Sequence, residues 1–89
     1  MDIKNQIRLV VDVLEQLDEQ GVYGWYPAGR RAQMLPSMLY ELFPEGPFEY
    51  EHQEVWGKTV GVYVHADNVE YFTMTTPERW KEISGHEVV

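Results

Sequence analysis

Thr59-Val60-Gly61-Val62-Tyr63-Val64-His65-Ala66, followed by Asp67-Asn68 and then Val69-Glu70-Tyr71-Phe72-Thr73-Met74, decides the fold. Val60, Val62, Val64 and Ala66 share one parity, and Thr59, Gly61, Tyr63 and His65 share the other. Side chains of a strand alternate between faces, so this stretch predicts a strand with one apolar face. Asp67-Asn68 supplies a tight turn that sets Ala66 opposite Val69 and His65 opposite Glu70. Upstream, Phe48 to Trp56 alternates in part, and Gly57-Lys58 reads as another hairpin turn. The sum is a three-stranded antiparallel meander.

Outward from the meander the period changes. Ile3, Ile7, Val10, Leu14 and Leu17 recur at steps of four and three, one stripe of an α-helix. Asp2 suits its N-cap and Gly21 its stop. Leu9, Val11 and Val13 widen the apolar surface, which predicts contact with more than one neighbour. Val22-Tyr23-Gly24-Trp25-Tyr26-Pro27 is an aromatic segment whose Gly24 and Pro27 favour a loop over a short strand. A second helix is expected from Ala28 to Phe43, with Met34, Leu35, Met38, Leu39, Leu42 and Phe43 on its apolar face. Pro36 either kinks that helix or opens a shorter one beginning near Leu35. At the other end, Thr75 and Glu78 form a capping-box pattern around Pro77, starting a short helix through Trp80 and Ile83. The expected class is α+β, two N-terminal helices, a three-stranded meander and a short C-terminal helix, α-α-β-β-β-α in two layers. Residues 1–85 form one domain and residues 86–89 a tail.

Composition bounds the function. Fifteen acidic against seven basic residues give a net charge of −8 in 89 residues. Nucleic-acid and anionic-membrane surfaces are recognised by lysine and arginine, so this balance argues against both. The 13% aromatic content argues against disorder. Absence of cysteine excludes disulfides, thiolate metal sites and thiol catalysis, and fits a reducing compartment. No signal-peptide pattern opens the chain, and no apolar run approaches the ~18 residues of a membrane span. A cytoplasmic location is expected.

Chemistry-bearing motifs are sparse. His52 and Glu54 share one parity on the first predicted strand, and His65 faces Glu70 across the next pair. A metal site would draw on His52, Glu54, His65 and Glu70, on the sheet face away from the valines. A cross-strand polar arrangement accounts for the same residues. Nucleophile elbows and phosphate-binding glycine loops are absent. The chain is expected to be no enzyme and to need no cofactor.

Two features point to protein binding. Tyr23, Trp25 and Tyr26, with Arg30 and Arg31 close behind, concentrate the residue types of interface hot spots, although Trp25 equally suits a core plug. From Glu41 to Glu54 the chain carries Glu41, Glu45, Glu49, Glu51 and Glu54 with no base until Lys58. Such an array suits a basic protein partner, and it equally serves solubility or guards a sheet edge. The expected partner-binding residues are Tyr23, Trp25, Tyr26, Arg30, Arg31, Glu49, Glu51 and Glu54. Size, acidity and lack of chemistry resemble those of phage-encoded inhibitors of bacterial defence or host enzymes, a likeness of composition alone. Two alternatives stand beside this one: a homodimer built through the first helix, and a metal-assisted enzyme using His52, His65 and Glu54 or Glu70.

Overall fold

A polar cap ahead of an apolar stripe starts the first element. Asp2 Oδ1 accepts the Lys4 N–H at 3.4 Å and opens α1 (Ile3–Glu19). The chain leaves that helix through Gly21 at φ +100°, where a side chain would be strained and would press on Leu35. The structure, a computed structural model, describes residues 2–53 and 58–89.

The aromatic segment is a strand, β1 (Val22–Tyr26), and not the expected loop. It turns at Pro27–Arg30 and pairs antiparallel with β2 (Arg31–Met34), with a bulge at Tyr23. The expected helix over Ala28–Phe43 is therefore corrected. Only its C-terminal part is helical, as α2 (Pro36–Leu42), with Leu35 at the N-cap and Pro36 in the first turn. Pro36 lacks the N–H that an interior helical residue would donate, and in the first turn that donor has no helical acceptor anyway.

The remaining strands are β3 (Glu49–Gln53), β4 (Thr59–Ala66) and β5 (Val69–Thr75). They form the expected antiparallel meander, with Ala66 opposite Val69 and His65 opposite Glu70. Asp67 and Asn68 both take positive φ, as a two-residue hairpin turn requires. The sheet does not stop there. β2 runs parallel to β5, giving a five-stranded mixed sheet ordered β1-β2-β5-β4-β3. The element order is α-β-β-α-β-β-β-α, so the α+β class holds and the expected order gains a hairpin after the first helix.

A final helix, α3 (Pro77–Ser84), is capped by Thr76, one residue later than the capping-box pattern suggested. Its Oγ1 accepts the Arg79 N–H at 3.1 Å. Leu39 of α2 and Trp80 of α3 pack with Val60, Val62, Val64, Ala32 and Met34 to make the core on one sheet face. Trp80 is wholly buried, its Nε1–H donating to Tyr50 Oη at 3.3 Å, with Phe48 edge-on at 5.1 Å. Beyond α3, His86 lies against Phe48 and Val88 against the core. No helix among the described residues is long and apolar enough to cross a membrane.

Candidate functional site

Strand parity divides the candidate residues between two surfaces. Trp25 pairs with Ala32, so it lies on the helix side of the sheet. Tyr26 pairs with Arg31, so it lies on the opposite face. The expected aromatic–arginine patch is thus not one patch.

On the face opposite the helices, Phe72 and Tyr63 stack at 5.7 Å, and Tyr26 approaches Phe72 at 6.3 Å. The Arg31 guanidinium lies 4.5 Å from the Phe72 ring centre, and its Nε donates to Glu70 Oε2 at 2.6 Å. Packed this way, Phe72 and Tyr63 are nearly buried even though no helix covers them. Arg30 stands apart at the end of the sheet, its Nε donating to the Asn68 carbonyl at 2.7 Å. Both arginines are therefore committed to internal partners.

Glu49 and Glu51 fall opposite Tyr63 and Gly61, which puts both on this same open face at the β3 edge. The Tyr63 hydroxyl donates to Glu51 Oε2 at 3.2 Å, and His65 Nε2 is 3.5 Å from Glu49 Oε2. Burial first, then the Glu51 charge and its acceptance of the phenol proton, push the Tyr63 pKa up. Glu41 is exposed on α2, which packs on the other side of the sheet, so the run of glutamates is split between faces. Glu54 and the Gly57 half of the expected hairpin turn lie outside the described residues.

The proposed metal ligands are not brought together. His52 pairs with Val60 and so lies on the valine side, whereas His65 pairs with Glu70 on the open side. A two-residue turn at Gly57-Lys58 would have set His52 opposite Tyr63. The observed pairing is offset by an odd number of residues, which exchanges the faces. Among the described residues no group of three His, Asp or Glu side chains is placed to hold a metal ion.

The helix side holds the feature that periodicity did not reveal. No residue of α1 is buried. Ile3, Ile7 and Val10 are 70%, 59% and 55% exposed, and Leu14 still 37%. Leu14 and Leu17 stand over β1 and, with Trp25, Met34, Leu42 and Tyr71, line an apolar cleft of about 430 Å³. Trp25, itself 40% exposed, is a wall of this cleft and not a core plug. Tyr23, on the bulge, faces the α1 side chains Val11, Leu14 and Glu15.

No protein-family model matches the chain, and neither a curated protein nor a solved structure matches it.

Proposed function

We propose that the chain acts by stoichiometric binding of another protein, as an inhibitor or adaptor, and carries out no chemistry of its own. Its partner presents a basic surface, most concretely that of a nucleic-acid-handling protein, in the manner of phage-encoded anti-defence proteins and in the cytoplasm. The observation that supports this reading is the placement of Glu49 and Glu51. Both are exposed on one face of an edge strand, and among the described residues no lysine or arginine is ion-paired to either. With a net charge of −8, such a face attracts a basic surface from a distance and repels nucleic acid and acidic partners. Tyr26, on the same face at the opposite edge of the sheet, supplies contact area from a ring with few rotatable bonds.

Affinity capture from the native host, quantified for the wild type and for Glu49→Lys/Glu51→Lys at graded salt, tests the reading. A basic polypeptide should be retained in near-equal molar amount by the wild type, released by salt, and lost with the charge reversal. Capture indifferent to both charge and salt contradicts it. A variant that captures the same partner but aggregates would assign the two glutamates to protection of the sheet edge instead.

A further inference from the structure

We infer that α1 pairs antiparallel with α1 of a second copy of this chain, each helix laying its N-terminal half over the apolar cleft of the other. This surface is distinct from the open sheet face and does not depend on the function proposed for it.

The first observation is area. The chain exposes 6447 Å², whereas a compact monomer of its 10.5 kDa mass exposes about 5,400 Å². The excess is of the order of the roughly 800 Å² that one partner contributes to a stable interface. Its radius of gyration is 14.7 Å against about 12 Å for a compact chain of this length. The extra surface includes the apolar stripe of α1, of which Ile3 and Ile7 are 70% and 59% exposed and Val10, beside Trp25, is still 55% exposed. The cleft beside its C-terminal half has walls and no filler. A two-fold axis that reverses the helix brings the one to the other twice, as an isologous interface does.

The second observation is charge, and it selects the occupant. Each stripe residue, Ile3, Ile7, Val10, Leu14 and Leu17, is followed by one residue of a flanking row: Lys4, Arg8, Val11, Glu15 and Asp18. At 100° per residue that row runs along one border of the stripe. It reads base, base, valine, acid, acid. Reversed about Val11 it complements itself, with Lys4 against Asp18 and Arg8 against Glu15, each pair occurring twice. A parallel two-fold pair would instead set this row against the other border of the mate's stripe, Asp2, Gln6, Leu9, Val13 and Gln16, which carries a single charge and leaves Arg8, Glu15 and Asp18 without partners. A helix evolved for an unrelated partner has no reason to be its own electrostatic complement.

Sedimentation velocity of the full chain over a wide concentration range tests the inference, with circular dichroism as the folding control. The wild type should reach twice its 10.5 kDa mass. Lys4→Asp or Asp18→Lys alone should raise the dimer dissociation constant roughly tenfold, and the double swap should return it to within about threefold. Each single change favours the isolated helix, placing an acid at its N-terminus or a base at its C-terminus, so lost association cannot be lost helix. Ile7→Gln/Val10→Gln should be monomeric and folded. A wild type that stays monomeric throughout overturns the inference, and so does a double swap no better than the single ones. Glu49→Lys/Glu51→Lys should leave the dimer intact, which separates failure here from failure of the proposed function.

Discussion

Arg31 Nε donates to Glu70 Oε2 at 2.6 Å where β2 runs parallel to β5, and the same guanidinium lies 4.5 Å from the Phe72 ring centre. One planar group thus ties the N-terminal hairpin to the meander through an ion pair and a stack. The pair is partly exposed, so solvent weakens its Coulomb part. Arg31→Ala should cost about 1–2 kcal/mol, combining the pair, the stack and the aliphatic stem. Arg31→Lys should recover less than half of that, because lysine has no planar fork. Urea unfolding measures both. Equal stability of all three chains would contradict the tie.

The two tryptophans outside residues 54–57 should respond oppositely. Trp80 is fully buried, and Trp80→Ala should cost about 3–5 kcal/mol, enough to leave a small domain largely unfolded. Trp25 is 40% exposed, and Trp25→Ala should cost under about 1 kcal/mol in the isolated chain while weakening association. Thermal melting followed by circular dichroism distinguishes them. Similar losses at both positions would contradict the assignment of Trp25 to a surface.

Thr73 is completely buried and its Oγ1 has no hydrogen-bond partner among the described residues. Thr73→Val keeps the shape and the β-branching while removing a desolvated hydroxyl. It should raise unfolding stability by about 1 kcal/mol. A loss of stability on this change would mean that the hydroxyl has a partner.

Tyr63 makes stability pH-dependent on the alkaline side. Burial and the Glu51 carboxylate raise its pKa in the fold above the ordinary value of about 10. The folded chain therefore holds this proton more tightly than the unfolded chain. The resulting contribution is complete below pH of about 10 and is lost as pH rises through the folded pKa. Tyr63→Phe should lose stability less steeply than the wild type over that window, and Glu51→Gln should fall between them. Parallel pH profiles for all three would contradict the coupling.

Much of the fold was legible because alternation and helical period are carried by long segments. Eight residues of β4 and seven of β5 declare their parity, and Asp67-Asn68 fixes their register. β2 escaped detection because Arg31-Ala32-Gln33-Met34 is only four residues long and runs straight into the apolar period of α2. Taking β1 for a loop removed the alternation that would have parted Trp25 from Tyr26. The shared face of Glu49 and Glu51 was readable, since it needs only a strand. The face of His52 was not, since it depends on the register set by the connection to β4. Periodicity found the stripe on α1 and implied that something covers it. It carries no information on whether that cover lies within the same chain, and here the side chains of β1 meet the stripe at Val10, Leu14 and Leu17 while Ile3 and Ile7 stay 70% and 59% exposed.

In the proposed dimer α1 is a surface held for association and not part of the folding core. Urea unfolding of Ile7→Gln/Val10→Gln at a concentration low enough to keep all chains monomeric tests this most directly. Glutamine is at least as good a helix former as isoleucine or valine, so the helix itself is not weakened. Stability within about 0.5 kcal/mol of the wild type is predicted, as for surface positions. A loss of about 3 kcal/mol or more, the size expected of buried aliphatic side chains, would contradict it.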